Sequence, residues 1–431
     1  MRSERAAWQG LAGRLGGALR RTGPALALAL LLWPLGCRPA SQTAPEAGTA
    51  AVRQAQPGVP LVRVRLLSDE TSVRLSATAN PTFHTSTSPQ EKLLNIAGRT
   101  VELRLSESGW VFGGTAVSAG VLTITPQPEG TLAVNGHTYR GRLRFVPTGS
   151  NRFDVVNDVD VDGYLKSVVS RELLRDWHPE TFRAQAIVAR TYALYEVATA
   201  GANRHWDVFP DERSQVYGGM AAESQRSVDG VEATRGIVMA FGPPGDERIF
   251  KAYFSSTCGG IGQSAQDAFG DPPIGPLIEK NAGTLCSASP RFTWGPVTLS
   301  KAEVTRRLRA WGVRRDRAER NIAEVRTIEP SHHNRFGRPV RFLVTDSRGT
   351  RYSLLAEELR WAINGTLANR TLWSSFIYVR DTGNGFVFTG RGSGHGVGMC
   401  QYCAEALARR GLRHEEIVRF SYPGVRLVRA Y

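Results

Sequence analysis

From Leu61 to about Val156, apolar and polar residues alternate at every second position in short runs. The runs L-V-R-V-R-L-L, T-V-E-L-R-L, V-L-T-I-T-P and R-G-R-L-R-F-V are separated by Gly, Asn and Pro. Period-two alternation sends apolar side chains to one face of a strand, and no helical period competes with it here. The pattern changes near Asp162, which the spacing predicts as a helix N-cap. A second helix is expected after Pro179, and strands return at G-I-V-M-A-F and I-F-K-A-Y-F. A mixed stretch from about Leu299 to Leu372 holds a basic helix, K-A-E-V-T-R-R-L-R-A-W, and strands around Val340–Val344. A final helix is expected from roughly Met399 to Arg410. No internal repeat is visible, and the class is α+β.

Two helical segments carry a charge where the period calls for an apolar residue. Tyr164, Leu165, Val168 and Val169 form a stripe at three- and four-residue spacing, and Glu172 is its next position. In the second helix Phe182, Ala186, Ala193 and Val197 define the buried face, and Arg190 lies within it. A carboxyl on an apolar face is desolvated, which raises its pKa and lets it deliver a proton near neutral pH. A buried arginine needs an anionic or strong acceptor partner. Taken alone, this pattern favours the structural reading, with Glu172 reaching water from a helix end and Arg190 paired for stability.

Composition and the first residues narrow the compartment. The chain has 431 residues, enough for two packed domains, with ordinary globular proportions of 41% hydrophobic and 22% charged residues. A formal net charge of +15 suits an anionic partner surface. No zinc-finger spacing or aromatic-and-basic RNA signature accompanies it, so nucleic acid is not expected as a partner. Arg2, Arg5, Arg14, Arg20 and Arg21 precede an apolar run from Ala25 to Leu35 that ends at Gly36-Cys37. This is the layout of a secretory signal, and the run is too short for a bilayer span, which takes about 20 residues. Gly-Cys at its end resembles the lipobox of bacterial lipoproteins, although Pro34 stands where such boxes usually have Leu. Residues 1–37 are therefore expected to export the chain and Cys37 to carry a lipid anchor in the cell envelope. Residues 38–60 have four prolines and no apolar period, the composition of a tether. An oxidising destination favours disulfides among Cys258, Cys286, Cys400 and Cys403, with pairing left open. A tetrathiolate metal site is the alternative, and the C-x-x-C spacing of Cys400 and Cys403 is equally consistent with packing or redox chemistry. No metal or cofactor is assigned.

Several blocks then carry a family resemblance. V-V-N-D-V-D-V-D-G-Y-L-K-S-V-V-S-R-E-L followed by F-R-A-Q-A-I-V-A-R-T-Y-A-L resembles the signature of the SpoIID/LytB family, bacterial proteins that act on peptidoglycan. S-Q-V-Y-G-G at Ser214–Gly219 and Y-F-S-S-T-C-G-G at Tyr253–Gly260 resemble its next blocks. G-R-G-S-G-H-G-V-G-M-C-Q-Y at Gly390–Tyr402 and S-Y-P-G-V at Ser421–Val425 resemble its C-terminal ones. The blocks run in family order from about residue 135 to the end. The alternating stretch thus gives a β-rich N-terminal region over 61–134, which fits the family's leading region only loosely, and the resemblance gives a SpoIID/LytB-like domain over 135–431, with a cleft expected between β-rich and helical parts.

The resemblance implies a lytic transglycosylase acting on glycan strands that lack stem peptides, or a non-catalytic enhancer of a cell-wall amidase. The family's catalytic glutamate lies in an S-E-M-P block that falls on Glu172; here the block reads S-R-E-L. Arg190, Thr191, Gln215, Tyr217, Ser255, Ser256, Gly394 and His395 fall on positions expected to line the cleft. A single carboxyl suffices for this chemistry. Hydrolytic glycosidases generally need two carboxylates, whereas a lytic transglycosylase uses the muramic acid's own primary hydroxyl as nucleophile. Some family members bind zinc through a histidine and two cysteines near the Q-V-Y block. His205 is present, but W-D-V-F-P-D-E-R-S has no cysteine, so that site is not expected here. The glycines of Gly390–Gly398 imitate a dinucleotide fingerprint, but the strand–loop–helix unit and downstream acid that reading needs are missing.

Overall fold

The computed structural model describes residues 48–51, 58–201, 203–365 and 371–431. Residues 1–37, with the signal segment and Cys37, lie outside them. Within the stretch expected as a tether, Thr49–Ala51 is a strand paired antiparallel with Arg248–Phe250.

The alternating region folds into two six-stranded antiparallel sheets. One runs in the order Leu61–Glu70, Arg152–Asp160, Arg142–Gly149, Leu122–Thr125, Thr82–Thr85, Ser88–Leu93. The other runs His137–Tyr139, Leu132–Val134, Ser72–Ala77, Thr100–Ser106, Gly109–Phe112, Thr115–Val117. The inward residues of both, among them Leu75, Leu103, Trp110, Phe112, Ile124, Phe145 and Phe153, make one apolar core. Trp110 sits at its centre, edge-on to Phe153 with ring centroids 5.1 Å apart, its indole N–H donating to the Gly120 carbonyl at 2.8 Å. The strand-rich body continues through Asp160. A boundary at residue 135 would cut the hairpin of Leu132–Val134 and His137–Tyr139.

Eight α-helices follow among the described residues: α1 Val161–Glu172, α2 Pro179–Thr199, α3 Gln225–Ala233, α4 Ala265–Phe269, α5 Lys301–Arg315, α6 Ala356–Asn364, α7 Gln401–Arg409 and α8 His414–Ser421. Asp160, rather than the expected Asp162, caps α1, its Oδ1 accepting the Gly163 N–H at 2.7 Å. Asp162 is turned inward in the first turn instead. Tyr164, Leu165, Val168 and Val169 are all fully buried, as their spacing predicts. Every residue of α2 from Ala184 to Leu194 is buried, which marks a central helix covered on all sides rather than an amphipathic one. It packs against α1, α3, α7 and α8. A third core joins α5 and α6 to the antiparallel strands Val325–His333, Pro339–Asp346 and Arg351–Leu355, and to Thr293–Ser300, Ile377–Asp381 and Gly385–Arg391. The class is α+β. Residues 48–431 pack as one unit.

Candidate functional site

Glu172 is the last residue of α1, where the helix stops at Leu173 in extended conformation. Two segments close around its carboxyl. The Val216 N–H, from the Ser214–Gly219 loop, donates to Oε1 at 3.4 Å; the Gln401 amide, first residue of α7, donates to Oε2 at 3.4 Å. Both bonds are long for hydrogen bonds. Burial pushes the carboxyl above the ordinary glutamate range, and these two donors draw it only partway back. No second carboxylate shares its hydrogen bonds.

The surroundings fix those donors. The Ser167 hydroxyl accepts the Gly218 N–H at 3.0 Å, holding the loop over α1. Gln401 also donates to Gln185 Oε1 at 3.4 Å, and the buried amide nitrogen of Gln185 has no hydrogen-bond partner among the described residues. Glu405, one turn along α7, accepts from the His178 N–H at 2.9 Å and the Thr181 hydroxyl at 2.8 Å, clamping α7 to the start of α2. Trp177 stands edge-on to Tyr402 with centroids 4.9 Å apart. Gln401 was not singled out from sequence. A glutamine opening a helix is ordinary, and only the fold brings it across 229 residues to Glu172. The usable signal was two buried glutamines, Gln185 and Gln401.

The other expected residues fall into two groups. Arg190 is fully buried beneath α1; its Nη2 donates to Asp162 Oδ1 at 2.8 Å and its remaining groups reach the carbonyls of Val231, Thr234 and Ile237. The Thr191 hydroxyl donates to the Ile187 carbonyl and accepts the Met239 N–H at 3.0 Å. Gln215 accepts from the Tyr164 hydroxyl at 3.3 Å, and Tyr217 donates to Asn157 Oδ1 at 2.9 Å beneath Tyr139 and Tyr164. These four are buried and engaged with protein groups. Arg190 and Thr191 tie α2 to α1 and to the stretch from Val231 to Met239, while Gln215 and Tyr217 anchor the loop that carries Val216.

Ser255, Ser256, Gly394 and His395 lie together where the strand Phe254–Ser255 pairs in parallel with Met399–Cys400. The Ser255 hydroxyl accepts the Gly396 N–H at 3.2 Å. Gly394 has φ +98°, and a Cβ there would lie 2.8 Å from that of Ser255, so glycine is required by both conformation and space. The Ser256 carbonyl accepts the Tyr402 N–H at 3.1 Å, tying this cluster to the start of α7. His395 packs against Tyr253 and Phe269, its Nδ1 accepts the Val397 N–H at 3.0 Å, and burial lowers its pKa to about 4. It braces the loop as a neutral ring, bonded to the backbone of Val397 and Phe254. His205 is likewise committed, to Asp154 Oδ2 at 2.8 Å. Hollows of about 500 Å³ at Ser72–Arg74, Thr100–Glu102 and Asn135, and of about 290 Å³ beside Glu196, Lys251 and Asp271, are not lined by Glu172.

The four cysteines beyond Cys37 carry free thiols and sit together. The Sγ atoms of Cys258 and Cys286 are 3.7 Å apart and those of Cys258 and Cys403 3.9 Å, so the expected disulfides are not formed in this structure.

Comparison with known proteins adds to this geometry. A family described as Stage II sporulation protein matches residues 149–241, which contain α1, α2 and the Val216 loop; a domain of unknown function matches 273–398. The chain is 30% identical over 297 residues to an uncharacterized protein of Brachyspira hyodysenteriae, covering 69% of this chain and 74% of that one. It is 24% identical over 331 residues to the stage II sporulation protein D of Bacillus subtilis, covering 74% and 88%. It is 23% identical over 369 residues to the amidase enhancer of Bacillus subtilis, covering 77% of this chain but only half of that protein.

Proposed function

The chain belongs to the SpoIID/LytB family, and we propose that it is a lytic transglycosylase of peptidoglycan with Glu172 as its single general acid and base. The observation that carries the reading is one half-buried carboxyl, raised in pKa and held between two neutral donors at the end of α1. In the proposed reaction protonated Glu172 gives its proton to the glycosidic oxygen as the bond to muramic acid C1 breaks. The muramic acid's own C6 hydroxyl then bonds to C1, and its proton returns to the Glu172 carboxylate. The products are a shortened strand, a 1,6-anhydro-muramyl end and a regenerated acid. No water is consumed, so no second carboxylate is needed to activate one. Export and lipid attachment through Cys37 would place this chemistry at the cell wall, where the excess positive charge meets anionic wall polymer.

The test is digestion of purified peptide-free glycan strands followed by mass analysis of the ends. Anhydro-muramyl ends are expected; reducing ends would mean hydrolysis and sink the mechanism. A second reading is kept by the likeness to an amidase enhancer: strands bound but never cut, with faster release of stem peptides by an added amidase, would select it.

The donor from α7 gives a finer prediction. Removing it with Gln401→Ala takes away a group that favours the charged carboxylate, so the Glu172 pKa rises further. Because the acid form is required, activity falls as pH climbs through that pKa. The basic limb of the kcat profile is therefore expected to move to higher pH in Gln401→Ala, with a lower plateau. An unmoved limb would show that Gln401 does not control the proton.

A further inference from the structure

We infer that Cys258, Cys286, Cys400 and Cys403 form a tetrathiolate site for one zinc ion, which fixes the start of α7 and hence the position of Gln401. The four sulfur atoms all lie within 4.8 Å of one another. A tetrahedron with Zn–S bonds of about 2.3 Å has edges of about 3.8 Å, and Cys258 lies 3.7 Å from Cys286 and 3.9 Å from Cys403. Two distances within 0.2 Å of each other, from Cys258 to two different thiols, single out no disulfide pair. They are what a shared central ion requires.

The setting suits metal-bound thiolates. All four cysteines are buried, walled by Ala282, Leu285, Phe292 and Tyr402. The Cys258 N–H donates to Cys400 Sγ at 3.3 Å, and the Gly260 N–H to Cys286, the outer-shell bonds that hold metal ligands in place. Four thiolates around Zn²⁺ leave two negative charges. The Lys280 ammonium, which donates to the Gly398 and Ser421 carbonyls, and the buried Arg338 guanidinium both stand in the field of these cysteines. The loop between Cys258 and its neighbours is drawn tight: a Cβ on Gly259 would lie 2.6 Å from Arg391 Cβ, and one on Gly260 2.5 Å from the Gly283 carbonyl oxygen. Binding would release the thiol protons to solvent.

The location gives the site a purpose. It joins the loop after Ser255-Ser256, the turn at Cys286 and the first turn of α7, and Gln401 lies between two of the ligands. Zinc would therefore set the donor that faces Glu172. Only this last link rests on the proposed function; metal binding does not.

The experiment is elemental analysis of the purified full chain, prepared without a metal-affinity tag, with alkylation and peptide mapping before and after chelation. One zinc per chain is expected, with the four cysteines alkylated only after chelation. Hydrogen exchange at α7 amides should speed up at least tenfold once zinc is removed. Cys403→Ser should retain less than a tenth of the zinc, and Glu172→Gln all of it. Zinc-free protein with the four cysteines in disulfides, or freely alkylated, would overturn the site; iron in its place would overturn the zinc assignment. A zinc-loaded chain that cuts no glycan leaves this site standing and removes the lytic reading, and a zinc-free chain that cuts does the reverse.

Discussion

Glu172→Gln is expected to lower kcat on peptide-free glycan by about 10²–10⁴-fold, the usual contribution of a general acid, or roughly 2.7–5.5 kcal/mol of barrier. The side chain keeps its shape, with its amide oxygen toward the Val216 N–H and Gln401 turning its own oxygen to the new NH2 group, but cannot deliver a proton. Stability should move the other way. The folded state holds the Glu172 proton more tightly than the unfolded chain does, because burial raises the carboxyl's pKa. The stability contribution of that proton is fully present below the unfolded value near pH 4.3 and is lost as pH rises through the higher folded value. At pH 7 the wild type carries the cost of a buried carboxylate and the amide does not. The variant should therefore melt at the same temperature as wild type or higher at pH 7, and lose that advantage near pH 4. Anhydro-end release measured beside thermal unfolding across pH 4–8 checks both. Near-wild-type turnover, or a variant that melts lower at neutral pH, would remove Glu172 from the mechanism proposed for it.

Much of the frame around Glu172 could be read from local periodicity. Tyr164, Leu165, Val168 and Val169 are all buried because each helical stripe must meet a core. The strand runs were equally legible, since alternation fixes which residues face the sheet core. The limits came where the deciding contact is distant. Asp160 and Asp162 are two residues apart and both suit a cap; only the strand leading into α1 decides that the first caps and the second turns in to meet Arg190. The helix α8 has few apolar positions, and Ile417 and Val418 gain meaning only from the core they enter beside Tyr422. The four cysteines lie on three segments, with Cys286 28 residues and Cys403 145 residues beyond Cys258. Spacing alone left disulfide, metal and packing readings open, and their meeting is a property of the tertiary fold.

Arg190 carries the largest expected effect on stability, and the prediction separates two roles that its burial confounds. Arg190→Met keeps most of the volume and removes the charge. Among the described residues Asp162 would then be a buried carboxylate approached by Arg235 at 3.6 Å and the Tyr431 hydroxyl at 2.7 Å, and the Val231, Thr234 and Ile237 carbonyls would each lose the guanidinium as a donor. Breaking one side of a buried pair in this way costs about 3–5 kcal/mol. Urea unfolding should show a lower midpoint with an unchanged slope, since the surface exposed on unfolding is the same. Adding Asp162→Asn should recover a substantial part, because the stranded charge, more than the lost contact, is what destabilises. The position of Arg190 under α1 also sets what glycan binding should do. With every polar group of its guanidinium engaged inside the protein, the double variant should bind peptide-free strands like wild type at temperatures where both are folded. Unchanged stability with lost binding would instead return Arg190 to the ligand-facing role that its family position suggests, and would require the loop from Thr234 to Ile237 to open in solution.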